Sequence, residues 1–296
     1  VILPTWIFLA GVSPEYRNRA ERQMVPSVRF DPPSQDVGNI VFFEHVNVRV
    51  PDQGAATDFY VDGLGFTRDP YMMVGTRNMW VNCGRQQFHL PRGAPQRFRG
   101  VIGLVVPDLD ALEVRLRKVS DRLDGTRFAW RRGRAHTDVT CPWGNRFRVH
   151  PAGGAHGGPL GIPYLEMPIA KGAAAGVARF YRVVMGAPAT VEDGVARVNV
   201  GPGQGLVFRE EGEGPGAEYD GHHLAIYVAD FSGPYRMLAE RGLVTREDNP
   251  HQYRFVDIVA PRGKRTLFSI EHEVRSLHHP LYLRPLVNRT GGERLP

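Results

Sequence analysis

Two stretches of the chain carry residue types suited to metal chemistry. One reads Gly-His-His-Leu-Ala-Ile-Tyr-Val-Ala-Asp from Gly221 to Asp230, and the other Leu-Phe-Ser-Ile-Glu-His-Glu from Leu267 to Glu273. In both, apolar residues alternate with polar or small ones, the pattern of a half-buried strand. Each therefore sets a metal-binding side chain, His223 or Glu271, on a strand with one buried face. A carboxylate or imidazole placed there has to be paired, exposed or bound to something. Glu273 shares the strand face of Glu271, since side chains repeat every second residue, and reads as a supporting or surface residue rather than a ligand. His272 points to the opposite face. His222 faces away from His223 and reads as a structural histidine.

Composition limits the rest. The chain of 296 residues is long enough for one large or two medium domains, and 42% hydrophobic with 23% charged residues is the balance of a soluble globular protein. The formal charge of +6 is spread along it. The densest basic cluster, Arg127, Arg131, Arg132 and Arg134, reads as a solvated loop. No interleaving of aromatic and basic residues suggests a nucleic-acid surface. Two cysteines, Cys83 and Cys141, are too few for a disulfide framework or a zinc cluster, so a cytoplasmic setting is expected. Val1–Ala10 is apolar but contains Pro4, lacks a basic flank and is too short to span a membrane, and no other segment is long and apolar enough.

The elements that position these residues repeat. Residues 1–38 read as an N-terminal arm, rich in charge, proline and serine from Gly11 to Gly38. From Val41 to Val50 a strand carries His45, and Ala55–Leu64 has helical spacing stopped by Gly65. Two further strands follow, around Met79–Asn82 and Gln86–Leu90. The pattern then restarts with a strand at Val101–Val106 and a helix over Leu109–Leu123, capped by Asp108. Weak strands at Ala129–Trp130 and Thr137–Thr140 lead through Pro142-Trp143-Gly144-Asn145 to a last strand, Arg146–His150. After a Gly/Pro-rich linker, residues 153–163, Phe180, Tyr181 and Gly186 repeat Phe59, Tyr60 and Gly65 at a displacement of 121 positions. His45 falls on Glu166 at the same displacement, Val101 on His223 at 122, and Pro142 on Pro261 at 119. A displacement held this closely argues for duplication. It divides the chain into a first module, 39–152, a second module, 164–276, and a tail, 277–296, each module holding two β-α-β-β-β units.

The opening strand with His45, then Asp58-Phe59-Tyr60 and Gly63-Leu64-Gly65-Phe66, with closing strands after Pro142-Trp143-Gly144 and Pro261-Arg262-Gly263, resemble the vicinal-oxygen-chelate superfamily of glyoxalases, bleomycin-resistance proteins and extradiol dioxygenases. The resemblance covers about residues 39–276. It implies an α+β fold of tandem βαβββ units, each half folding into a curved mixed sheet with ligands on first and last strands. Carried over, it implies a three-ligand set of Glu166, His223 and Glu271 in the second half, similar in layout to extradiol dioxygenases but with Glu166 in place of a histidine. Such a carboxylate-rich set suits Mn²⁺ or Fe²⁺. His251 and Tyr253, before the last strand, are implied as proton-transfer or substrate-orienting groups. The first half offers His45, His89 and His150, with Val101 where the second half has His223. It reads as a degenerate, structural half, and the usual family spacing would put Arg148 rather than His150 at the last position.

The expected function is that of a metal-dependent enzyme on a small vicinally oxygenated substrate, with extradiol ring cleavage first and non-redox lyase or isomerase chemistry second. A metal-free antibiotic-binding protein is the competing class, with Trp80, Trp130 or Tyr164 lining the cavity. A scaffold whose tail mediates assembly is a third. The tail mixes apolar anchors with His278, His279, Arg284 and Arg289, which suits packing across the other half or a homo-oligomeric partner, or closing the site as a lid. Asn288-Arg289-Thr290 fits a glycosylation pattern that, without a secretory signal, is discounted.

Overall fold

A computed structural model describes residues 31–72, 77–156, 158–212, 218–260, 263 and 265–289. Most of the expected N-terminal arm, the turn residues Pro261 and Arg262, and Thr290 lie outside these residues. Asp31–Asp36 falls in a separate compact unit and holds one 3₁₀ turn, Pro32–Gln35. Everything that follows concerns the unit from Val37 onward. Among the described residues no helix is long and apolar enough to cross a membrane.

Four β-α-β-β-β units follow one another. The first runs β1 (Ile40–Asn47), α1 (Gln53–Ala56, continuing as a π-helical stretch Thr57–Gly63), β2 (Thr67–Arg68), β3 (Trp80–Cys83) and β4 (Gln86–His89). The second runs β5 (Val101–Val106), α2 (Leu109–Val119), β6 (Ala129–Arg132), β7 (Thr137–Thr140) and β8 (Arg146–Pro151). The third holds β9 (Tyr164–Ile169), α3 (Ala174–Val183), β10 (Ala189–Glu192), β11 (Val195–Asn199) and β12 (Gly205–Glu210). The fourth holds β13 (His223–Val228), α4 (Ser232–Ala239), β14 (Val244–Asn249), β15 (Gln252–Val259) and β16 (Thr266–Ser276). Local chemistry explains the boundaries. Asp52 accepts from the N–H groups of Gly54 (2.7 Å) and Ala55 (3.2 Å), and Asp108 from those of Asp110 (2.6 Å) and Ala111 (2.8 Å), so both cap a helix start. The expected buried stripe Leu109, Leu112, Leu116 and Val119 is present. The helix ends earlier than expected, where the Ser120 hydroxyl donates back to the Leu116 carbonyl (2.9 Å) and a 3₁₀ turn, Asp121–Leu123, follows.

Two eight-stranded mixed sheets result, as the two-sheet fold requires, but the units are not shared out by halves. The first sheet has the order β14-β15-β16-β13-β1-β4-β3-β2, and the second β10-β11-β12-β9-β5-β8-β7-β6. Unit one thus joins unit four, and unit two joins unit three. Each unit's first strand pairs on one side, in parallel, with its own last strand, and its other edge must be paired or covered. The short connection from β8 to β9 brings units two and three together through an antiparallel β5–β9 contact. That leaves β1 and β13 to pair, also antiparallel, from Ile40↔Val228 to Asn47↔His223.

The core lies between the sheets. Phe88 of the first sheet and Phe147 of the second have ring centroids 6.0 Å apart, with Tyr60 and Phe59 of the π-helical stretch packed on them at 5.1 and 5.6 Å. Symmetrically, Phe208 of β12 meets Phe268 of β16 at 5.7 Å, with Phe180 and Tyr181 of α3 alongside. Buried amides tie the sheets together. Gln86 exchanges two hydrogen bonds with the Ile162 backbone (2.9 and 2.6 Å), and Gln204 two with the Phe43 backbone (2.9 and 3.0 Å).

His272 sits in this core, as its strand parity predicts, stacked on Phe255 (4.4 Å) and hydrogen-bonded to the Tyr181 hydroxyl (2.7 Å). Burial pushes its pKa down to about 4. Below about 6.5 the unfolded chain takes up a proton that folded His272 refuses, so its contribution to stability is full above pH 6.5 and lost as the pH falls through 4. The expected loss is about 1.4 kcal/mol per pH unit within that window. Urea unfolding of the wild type and His272→Gln between pH 7 and 4 checks this: the variant starts less stable and shows a shallower pH slope.

Candidate metal centre

The curved face of the first sheet gathers polar side chains from four adjacent strands. His45 of β1, His89 of β4 and His223 of β13 place ligand nitrogens within 4.8 Å of one another. Strand register explains the convergence. His45 pairs in parallel with Gln87, and His223 pairs in parallel with Glu271. Two residues beyond each partner, on the same face, stand His89 and Glu273. The sheet therefore carries two equivalent pairs, His45/His89 and His223/Glu273, related through the β1–β13 contact.

Each ring is held by its neighbours. His45 Nδ1 lies 2.8 Å from Glu44 Oε2, and His89 Nδ1 lies 2.6 Å from the Asn47 amide. Trp80 stacks on His89 with centroids 3.9 Å apart and meets His45 edge-on at 5.0 Å. His223 has Glu271 Oε1 3.4 Å from Nδ1 and Glu273 Oε2 3.3 Å from Nε2. The Nε2 atoms of all three rings are buried without a hydrogen-bond partner. Burial depresses the His89 pKa to about 2, with the neighbouring His45 and His223 adding to it, and burial also lowers that of His223. Both rings are thus neutral, the state in which imidazole binds a metal.

The carboxylates belong to a buried ion network. Arg275 joins Glu44 and Glu273, its Nε lying 2.6 Å from Glu273 Oε1, and Tyr227 donates to Glu44 Oε1 (2.9 Å). Arg254 bridges Glu271 (2.5 Å) and Glu273 and also reaches Asp248 (2.9 Å). Burial alone would raise the Glu273 pKa, but the His223 ring 3.3 Å away and the Arg275 charge hold it well below the usual carboxylate range. Glu44 is likewise lowered, against burial, by His45 and Arg275. Both remain anionic acceptors.

A divalent ion fits this donor set. Three orphaned imidazole nitrogens face one another, and an ionised carboxylate stands 3.3 Å from one of them. A metal with ligands at about 2.1 Å separates two of them by at most about 4.2 Å, so a small rotation of the rings would complete the contact.

The structure revises the expected ligand set. It brings His223 and Glu271 together but leaves Glu166 elsewhere: β9 belongs to the second sheet, where Glu166 faces Arg209 at 3.5 Å. The first half, expected to be degenerate, supplies His45 and His89 to the cluster. Glu273, expected to be a bystander, is more buried than Glu271 and faces His223 Nε2. Tyr253 is turned away, its ring against Phe231 (5.0 Å) and Tyr235 (5.3 Å) beneath α4, and it is the next residue, Arg254, that faces the site. His251 lies in the β14–β15 turn, its carbonyl accepting from Ser276 N–H (3.0 Å), and is not brought to the three histidines. His150 is in the second sheet, hydrogen-bonded to the Tyr164 hydroxyl (2.9 Å). One sequence signal did mark the pairing: His45 precedes Asp52 by seven residues, as His223 precedes Asp230.

A cavity of about 850 Å³ adjoins the centre, lined by Phe42, Glu44, Gln87 and tail residues from Leu281 to Leu286. Glu44 lines this cavity and also meets His45 Nδ1 (2.8 Å). The tail crosses the first sheet as a strap. Arg284 bonds Asp69 (2.6 Å), the Asn82 amide donates to the Val287 carbonyl (2.8 Å), and Asn288 exchanges two hydrogen bonds with the Gly84 backbone (2.9 and 2.7 Å).

Removing one partner from a buried ion network strands the others in a low dielectric. Arg275→Met is therefore expected to cost about 3–5 kcal/mol in chemical unfolding, whereas Arg131→Met, at an exposed pair, should cost less than about 1 kcal/mol.

No protein-family model and no curated protein matches the sequence. Solved structures do. Glyoxalase I from Zea mays is similar over 79% of this chain and 92% of its own, at 13% identity and a TM-score of 0.56. A protein of Bacillus subtilis subsp. subtilis str. 168, provisionally named a dioxygenase, is similar over 81% of this chain and 86% of its own, at 17% identity and a TM-score of 0.52. With its four units and two mixed sheets, the chain has the fold of the vicinal-oxygen-chelate superfamily.

Proposed function

We propose that the protein is a metal-dependent enzyme acting on a small molecule with two adjacent oxygens, and that extradiol-type ring cleavage is its reaction. The observation that carries this reading is the convergence of three unpartnered imidazole Nε2 atoms beside an ionised Glu273. His45, His89, His223 and Glu273 would hold the ion. This set is richer in imidazole than the carboxylate-rich one expected from sequence, which favours Fe²⁺ over Mn²⁺. When bound, the metal would supply Lewis acidity toward the substrate's oxygens and an open position for a further ligand.

The chain's own groups do the rest. The strap and Phe42 give the neighbouring cavity an apolar wall that shields a bound ring from water. Glu44, ionised and at the cavity wall, is placed to accept a hydrogen bond from a substrate hydroxyl. Glu271, beside His223 Nδ1 and held by Arg254, orients the ring. A non-redox isomerase or lyase would use the same groups without consuming oxygen. A metal-free binding protein is the second reading, favoured by Arg254 and Arg275, which neutralise Glu271, Glu273 and Glu44 without an ion.

Metal analysis of protein purified anaerobically without chelator, from Fe²⁺- or Mn²⁺-supplemented growth, separates these readings. About one ion per chain is expected, lost in His89→Ala and His223→Ala. Wild-type protein without metal would overturn the enzyme reading and leave the binding protein. Oxygen uptake with a panel of catechols then divides ring cleavage from isomerase or lyase chemistry.

A further inference from the structure

The second sheet has a concavity of its own, about 740 Å³, and the register that builds the centre in the first sheet shows what has replaced it. Counting seven residues back from the start of each helix, at Asp108 and Ala173, gives Val101 and Glu166, the places of His45 and His223. Their parallel partners are Arg146 and Val207, and two residues beyond these stand Arg148 and Arg209, in the places of His89 and Glu273. Two ligand positions have thus become guanidinium groups and one is apolar. What remains cannot be a metal centre, because cations now occupy it.

We propose that this concavity binds the oxyanion group of a small organic molecule, a carboxylate or a phosphate monoester, through Arg148, Arg197 and Arg209. The wall carries these three guanidinium groups and one carboxylate, Glu166. Arg197 has no ion pair among the described residues, and Arg148 Nε is buried without a hydrogen-bond partner. Arg209 makes only loose contacts, 3.5 Å to Glu166 and 4.0 Å to Glu211. Asp138, outside the wall, is divided among Arg131 (3.5 Å), His136 (3.4 Å) and Arg148 (3.7 Å), so it does not cancel the charge. A planar guanidinium fork matches the geometry of a carboxylate or phosphate.

The imidazoles report the same excess of positive charge. His150 and His156 have ring centroids 4.2 Å apart, with His136 5.8 Å from His150. Burial pushes the His150 pKa down to about 4, helped by His156, His136 and Arg148 and opposed by Asp138. The space is also kept open. A Cβ on Gly103 would lie 2.5 Å from the Tyr164 ring, so glycine lets that ring lie flat on β5 while its hydroxyl meets His150. A volume of this size takes an anion attached to an organic body rather than a bare ion.

Titration of the purified full chain at low ionic strength, with inorganic phosphate in one arm and benzoate in the other, tests the assignment by calorimetry and by the NMR signals of His150 and His156. Saturable binding of at least one probe is expected, and the tighter of the two identifies the group. Arg197→Met and Arg209→Met should each weaken it by about tenfold or more, the loss of one charge-assisted contact. Arg197 is exposed at its strand position, so its variant keeps the test valid if Arg209→Met folds poorly. Binding that persists in His223→Ala separates this site from the metal centre, whatever the fate of that reading. No saturable binding of either probe, or equal weakening by Arg131→Met outside the cavity, would overturn the proposal.

Discussion

A buried charge must be answered by another, and on the first sheet this requirement organises everything around the candidate centre. Arg275, 5% exposed, stands between Glu44 and Glu273, and Arg254 continues the chain of charges to Glu271. Such networks contribute little net stability compared with apolar packing, because desolvation offsets most of the attraction. Their effect is positional. Held by Arg275 and Tyr227, Glu44 turns Oε2 toward His45, and held by Arg254 and Arg275, Glu273 turns Oε2 toward His223. His45 is thereby fixed through Nδ1 with its Nε2 left inward, and an ionised carboxylate is set beside the Nε2 of His223. An apolar substitute would pack as well and orient nothing.

The same scaffold carries opposite chemistry on its two concave faces. Strand parity and parallel register put four side chains at equivalent places in each sheet. In one they are three imidazoles and a carboxylate, and in the other a valine, a glutamate and two arginines. Both sets are compatible with the same backbone because the faces point away from the shared core of Phe88, Phe147, Phe208 and Phe268. The core constrains the inward residues of each strand and leaves the outward ones free to diverge. Fold and site thus vary independently, which is why likeness to glyoxalase I from maize speaks to the first and not the second.

Much of the fold was legible because period and caps are local. A short apolar run located β5 to the residue, Asp108 marked the start of α2, and the repeat of Phe59-Tyr60 as Phe180-Tyr181 revealed the duplication. What was not legible is non-local. Hydrophobic pattern does not say which unit's free edge meets which, so Glu166 was grouped with His223 although β9 and β13 lie in different sheets. Nor does it separate Glu271 from Glu273, since both share a face and only depth in the sheet divides them. His45 and His223 were within reach of the sequence through their common spacing to Asp52 and Asp230.

The strap completes the asymmetry between the two faces. Residues 277–289 cross the first sheet, anchored where Asp69, buried and held ionised by Arg284, meets the tail. Burial would raise the Asp69 carboxyl, and Arg284 together with the backbone N–H groups of Tyr71 and Met72 more than reverses this. Tyr282 closes on Tyr227, itself the donor to Glu44, so the strap touches the ion network as well as the cavity wall. Electrostatic interactions strengthen as water is excluded. Enclosure therefore serves the face whose residues would act on substrate oxygens, and the open second face keeps its arginines accessible. A dry, strapped site suits chemistry on a bound ring, and an open basic cleft suits reversible capture of an anion.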